Sequence, residues 1–128
     1  FARHQRHAAA TRAAVEAWGL EVLCADPAQH SGALTAVLMP EGKGADALRK
    51  VILERFDMSL GAGLSKLADK IFRIGHLGDY NDLTLIGTLG GVEMGLQVAG
   101  VAHKAGGVQA AMAVLAQSGA AEARQAAE

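Results

Sequence analysis

An arginine stands in the middle of a short apolar run in the segment KIFRIGHLGDYND. The run IFRIG is typical of a strand, in which successive side chains point to opposite faces of a sheet. Phe72 and Ile74 therefore share one face, and Arg73 lies on the other. If helices cover the Phe72 face, Arg73 lies on the open face, where Gly75 has no side chain to block the approach of a ligand.

Two kinds of chemistry fit Arg73. A planar guanidinium on an open face suits bidentate recognition of a carboxylate. The alternative is a strand arginine that faces water or pairs with a nearby acidic residue, and the spacing by itself favours this second interpretation. Arg73 is still the strongest candidate for a binding residue. The sequence contains no evident nucleophile–base pair, no paired carboxylates within one motif and no metal cluster.

Histidines and a glycine-rich loop are weaker candidates. The loop LGAGLSK could cradle a phosphate, but it lacks the spacing of either nucleotide-binding fingerprint, so we expect a flexible connector. His4 and His7 lie at i, i+3 of a predicted helix. Because no acidic or cysteine ligand stands beside them in sequence, we expect exposed helix histidines rather than a metal pair. His76 follows in a turn near Arg73, and an ordinary turn histidine is favoured over a group that titrates beside a ligand.

Glu93 and Cys24 have simple structural interpretations. Glu93 lies in a glycine-rich helix, where an edge position is expected rather than a catalytic one. Cys24 is expected to be a small apolar strand residue. As the single cysteine of the chain it excludes an internal disulfide. A reducing setting therefore fits best, and we expect a cytoplasmic location.

Composition indicates one globular domain over the 128 residues, with 51% hydrophobic and 20% charged residues. The net charge of −1 provides no electrostatic field for nucleic acid or an anionic membrane surface. No run of about 18 apolar residues is present, so no membrane span is predicted. Glycine is abundant, at 16 residues, which indicates tight turns and closely packed helices.

Periodicity predicts an α+β fold without internal repeats. Predicted helices cover about residues 2–18, 44–56 and 82–99, and a last one carries Val108, Ala111, Met112 and Leu115. Predicted strands lie near residues 20–25, 33–39 and 70–75, and a short extended piece is expected around the LGAGLSK loop. We expect a small antiparallel or mixed sheet of three to four strands, with the helices packed on one face.

The helix predicted at residues 82–99 is unusual because glycines interrupt it. Its apolar stripe consists of Leu85, Leu89, Val92 and Leu96, and it contains Gly87, Gly90, Gly91 and Gly95. Each glycine should cost about 1 kcal/mol relative to alanine, so close helix packing is the expected compensation. Asn81 or Asp82 is expected to cap its first turn.

Several segments resemble a known family. RHQRHAAATRAAVEAWGLEVLC, ALTAVLMPEG, VILERFDMSLGAGLSKLADKIFRIGHLGDYNDLTLIGTLGGVEMGL and GGVQAAM are similar to the serine–glyoxylate and alanine–glyoxylate aminotransferases, which are class V, fold-type-I pyridoxal-phosphate enzymes. The match covers nearly the whole chain and is most specific in FRIGHLGDYNDL. It implies that residues 1–128 form the C-terminal small domain of such an enzyme, with residues 1–19 as the end of the helix that enters it.

The resemblance implies that Arg73 binds the α-carboxylate of an amino-acid or keto-acid substrate. In this family the Schiff-base lysine, the aspartate at the pyridine nitrogen and the phosphate-binding residues belong to the large domain. None of the five lysines of this chain matches the Schiff-base motif. Pyridoxal phosphate is therefore expected in a full-length parent, and neither bound cofactor nor transamination is expected of this chain alone. The parent would transfer an amino group from serine or alanine to glyoxylate and would form a homodimer.

A second hypothesis belongs to another class. The chain would be a free-standing, non-catalytic α+β module that binds a small anion or mediates dimerisation.

The first residues, FARHQRHAAATR, contain no initiator methionine and are typical of the middle of a helix. We therefore expect the chain to be a piece of a longer protein.

Overall fold

The computed structural model describes residues 2–23, 34–40, 42–63, 68–75 and 81–127 of the chain. The described elements follow one another as α1 (Ala2–Trp18), β1 (Glu21–Val22), β2 (Leu34–Leu38), α2 (Ala45–Phe56), β3 (Gly61–Ala62), β4 (Ile71–Gly75), α3 (Asp82–Val98) and α4 (Gly107–Ala127). The predicted α+β class is confirmed.

The strands form one antiparallel sheet in the order β1-β2-β4-β3. Strands β2 and β4 pair along their full length, from Leu34 opposite Gly75 to Leu38 opposite Ile71. Both were predicted to within one residue at either end. β1 is shorter than expected, and β3 is a short edge strand at the predicted extended piece.

The two faces of the sheet differ in burial. Val37, Phe72 and Ile74 are fully buried and belong to the core formed with the helices. On the opposite face, Ala36 and Arg73 are half-buried. The helices therefore cover the Phe72 face, as expected, and the side chain of Arg73 projects from the open face. Ile71 is the exception to the alternation, because it is on the Arg73 face and yet buried.

The apolar stripes of the helices were predicted well. Thr11, Val15 and Trp18 of α1 and Leu85, Leu89, Val92 and Leu96 of α3 are all buried. Met112 was predicted in the stripe of α4 and is instead 49% exposed. Its neighbour Ala111 is buried. Adjacent helical residues point about 100° apart, so a narrow contact surface can bury only one of the two side chains. That contact is with α1, whose packed face is rich in alanine.

Two of the four glycines of α3 allow close packing and two do not. A methyl group on Gly95 would lie 2.7 Å from Cδ1 of Ile52 on α2, and one on Gly91 would lie 2.9 Å from Cε of Met58. Gly87 and Gly90 have nothing within 4 Å of the same position among the described residues. Close packing therefore compensates for the helix-propensity cost of Gly91 and Gly95, on the side of α3 that faces α2.

Replacing Gly95 with alanine should destabilise the protein. The clash with the buried Ile52 should cost about 1–3 kcal/mol, which outweighs the gain of about 1 kcal/mol in helix propensity. Gly87→Ala in the same helix is the matched control, and it should stabilise the protein because no described atom lies within 4 Å of the added methyl group. Urea unfolding of both variants tests this, and equal stabilisation by the two would contradict the packing of α3 on α2.

Candidate functional site

Arg73 occupies the centre of the sheet's open face. In the register of the sheet it stands opposite Ala36 of β2 on one side and Gly61 of β3 on the other. A methyl group on Gly61 would lie 3.1 Å from Cβ and 3.7 Å from Cδ of Arg73. Ala36 thus has only a methyl group and Gly61 has no side chain, so neither flanking residue places a bulky side chain beside Arg73.

Arg73 also differs from the other half-buried arginines in its partners. Arg6 pairs with Asp82, and Arg49 donates from Nε to the carbonyl oxygen of Leu60 at 2.9 Å. Arg12 interacts with a neighbouring group as well. Within the described ranges, the side chain of Arg73 forms no hydrogen bond or ion pair. A half-buried guanidinium normally has a partner because partial desolvation of a charge is costly, so the lack of a described partner makes Arg73 the candidate binding residue.

His7 occupies a different environment from the one predicted. Its side chain is fully buried rather than exposed, and its Nε2 lies 2.9 Å from Oδ1 of Asp82 at the start of α3. The guanidinium of Arg6 contacts the other oxygen of the same carboxylate. The prediction failed because the partner lies 75 residues away in sequence. The carboxylate joins α1 to α3, so His7 and Arg6 fasten the two helices together.

This pairing changes the acidity of Asp82. Partial burial opposes the charged form, but hydrogen bonds from His7 and Arg6, together with their positive charge, outweigh it. They hold the pKa of Asp82 below its usual value of 3.8. The carboxylate therefore stays ionised and paired through the neutral range.

Glu93 has a structural role that its sequence context did not indicate. Its Oε1 accepts a hydrogen bond from Nε1 of Trp18 at 2.6 Å. The same oxygen accepts from the backbone nitrogens of Gly107 at 3.0 Å and Val108 at 3.3 Å. Glu93 thereby caps the first turn of α4 from α3 and ties both helices to α1.

Several candidates lie outside the described residues. These are Cys24, His76, the side chain of His4 and the second half of the LGAGLSK loop. In the part of the chain that the structure does describe, no group of three or more potential metal-ligating side chains occurs. No helix there combines the length and the apolar character that crossing a membrane requires.

Comparison with known proteins shows which proteins resemble this chain in sequence and in structure. No protein-family model matches the chain. Serine–glyoxylate aminotransferase of Methylorubrum extorquens is 46% identical over 116 residues, which cover 90% of this chain and 29% of that enzyme. L-aspartate–glyoxylate aminotransferase of Paracoccus denitrificans is 40% identical over 128 residues, or 32% of its length. The solved structure of ureidoglycine–glyoxylate aminotransferase from Bacillus subtilis superposes with a TM-score of 0.82 at 31% identity, over 89% of this chain and 30% of that one.

The chain belongs to the class V aminotransferase family. Its α+β fold is that of the aminotransferase small domain. It spans about a third or less of the length of the relatives it matches.

The geometry separates the residues of this aminotransferase domain into two groups. Arg73 lies on the open face of the sheet without a side-chain partner among the described residues, whereas His7, Asp82 and Glu93 lie between helices. The face on which Arg73 lies was predicted from the sequence because strand alternation is local. Sequence reasoning missed the roles of the other three, because each takes its partners from a helix distant in sequence.

Asp82→Asn should lower stability at neutral pH by about 1 kcal/mol or less, since the carboxylate is 43% exposed. The pKa of Asp82 is lowered in the folded protein, so the carboxylate's contribution is present above pH 3.8 and is lost as the pH falls through the lowered pKa. The gap between wild type and variant should therefore close in acid. Urea unfolding from neutral pH downwards measures it.

Glu54→Gln, at an exposed position on α2, is the control for removing one negative charge and should change stability little. A gap between wild type and Asp82→Asn that stays constant or widens as the pH falls would contradict the pairing of Asp82 with Arg6 and His7.

Proposed function

We propose that this chain supplies the substrate-carboxylate arginine, Arg73, of a pyridoxal-phosphate aminotransferase that transfers an amino group from serine or alanine to glyoxylate. The supporting observation is that Arg73 is half-buried on the open face of the sheet and has no anionic partner among the described residues. A carboxylate placed over Ala36 and Gly61 would complete its coordination by two parallel hydrogen bonds.

The carboxylate is the group that such substrates have in common. The relatives are named for different amino donors, serine and L-aspartate, and share glyoxylate in their names. A residue that binds a carboxylate serves either half of a transamination, because the amino acid and the keto acid present the same group. Arg73 would therefore fix the orientation of each substrate and leave the choice of donor to other residues.

The described lysines of this chain lack the setting that a Schiff-base lysine needs. Lys43, Lys50, Lys70 and Lys104 are all exposed, whereas a lysine that forms a Schiff base needs a desolvated or electrostatically activated setting. In our proposal the cofactor and its lysine belong to a large domain of the same enzyme, and this chain contributes substrate binding. The homodimer expected from the resemblance remains a prediction.

Arg73→Ala and Arg73→Lys, made in the full-length enzyme that contains this chain, should both lose catalytic efficiency with serine and glyoxylate. Loss of a charged hydrogen-bonding partner should cost about 2–5 kcal/mol of apparent binding. Lysine should rescue little because it lacks the planar fork. Cofactor binding should remain nearly unchanged. Steady-state kinetics measures the loss, and retention of kcat/KM within a factor of about three in either variant would refute the proposal.

The 128-residue chain itself should neither transaminate nor form a Schiff base with pyridoxal phosphate. Incubation with the cofactor, borohydride reduction and peptide mass spectrometry should find no lysine that is labelled stoichiometrically. The full-length enzyme treated in the same way is the positive control. Stoichiometric labelling of one lysine of the chain would overturn the division of labour proposed here.

The free-standing anion-binding module is the competing function, and it rests on the same arginine. The two functions differ in what the full-length gene product does. An enzyme requires both the cofactor's visible absorbance and sensitivity of kcat/KM to Arg73, whereas a module would bind a carboxylate without either.

A further inference from the structure

Strand β3 lies directly beside Arg73 and is held in place from helix α2. It consists of Gly61 and Ala62, and its pairing with β4 sets Gly61 opposite Arg73. The preceding residue, Leu60, is buried, and its carbonyl oxygen accepts the 2.9 Å hydrogen bond from Nε of Arg49. Two paired residues make a weak edge strand, so the burial of Leu60 and this bond from α2 together help to fix its position.

Gly61 is needed for space rather than for backbone conformation. It does not have the positive φ that would favour glycine, and it is exposed, so neither strain nor core packing explains it. A methyl carbon on Gly61 would lie 3.1 Å from Cβ of Arg73, which is shorter than ordinary van der Waals contact. Any side chain at this position would push against the methylene groups of the arginine.

We propose that Gly61 and Arg49 are positioning residues for Arg73. Because Gly61 has no side chain, the methylene groups of Arg73 can lie against the backbone of β3. Arg49 fixes the position of β3 through its hydrogen bond to the carbonyl oxygen of Leu60. The guanidinium then stays close to the surface of the sheet, and a carboxylate can occupy the space above it. This inference rests on the proposed function of Arg73 and adds the residues that determine its geometry.

The first arm of the test measures KM and kcat of the full-length enzyme with Gly61→Ala and Gly61→Val. A displaced guanidinium should raise KM for serine and for glyoxylate together, by about 3-fold or more for alanine and 10-fold or more for valine. The reason is that Arg73 contacts the group that both substrates share. Gly87→Ala is the matched control, and it should leave both constants unchanged.

The second arm concerns Arg49. Arg49→Ala should raise KM several-fold, and Arg49→Lys should restore much of it, because an ammonium group can still donate to the carbonyl of Leu60. Arg55→Ala, on an exposed part of the same helix, is the control for removing a positive charge. Equal KM values in Arg49→Ala and Arg55→Ala would overturn the role assigned to Arg49.

A double-mutant cycle separates positioning from a general structural effect. If Gly61 acts through Arg73, Gly61→Ala should have little further effect on KM in the Arg73→Ala background. An undiminished effect there would overturn the inference, and thermal unfolding of each variant shows whether the fold is retained. Large losses in the Arg73 variants together with a KM within twofold of wild type in Gly61→Val would overturn the positioning role alone. Full efficiency in Arg73→Lys would instead overturn the proposed function, and the positioning role with it.

Discussion

A single carboxylate oxygen joins three of the helices, α1, α3 and α4. Oε1 of Glu93 on α3 accepts the indole N–H of Trp18 at the end of α1 and two backbone N–H groups at the start of α4. The first N–H groups of a helix have no partner inside it, so a negative charge at that position is favourable. The arrangement requires glycine at position 107, because a Cβ there would collide with the indole ring of Trp18. One acidic residue thus joins three helices, and the absence of a side chain at Gly107 makes room for the contact.

Helix α2 begins in the same way. Its N-cap residue, Gly44, has no side chain to accept a hydrogen bond, and the cap comes instead from Asp69, which precedes β4. Oδ1 of Asp69 accepts from the backbone nitrogen of Asp46 at 2.8 Å, and a Cβ on Gly44 would lie 2.7 Å from that oxygen. A carboxylate distant in sequence again replaces the local cap, and here it ties α2 to the strand that carries Arg73.

These remote caps explain how much of the fold was predictable. Asn81 follows the local rule, accepting from the backbone nitrogen of Thr84 three residues later, and it was one of the two caps expected from the sequence. The alternation in β4 and the stripe of α3 are equally local, and both were predicted correctly. Glu93 acts on residues 14 and 75 positions away, so no pattern within a helix could indicate its role. The burial of His7 escaped prediction for the same reason, since its partner, Asp82, lies on another helix.

The division of the charges explains why Arg73 stands out in the completed structure. Where a charge lies between elements of the scaffold, an opposite charge or a backbone group meets it, as in the pairs of Arg6 with Asp82 and Arg49 with Leu60. Arg73 shares the partial burial of these arginines, and its guanidinium has no partner among the described residues, so under the proposed function the carboxylate of a substrate compensates for its desolvation. A cation held in this way loses little when a carboxylate replaces water, and the low residues beside it, Ala36 and Gly61, leave room for that exchange. The covered face provides the stability, and under the proposed function the open face binds the substrate carboxylate.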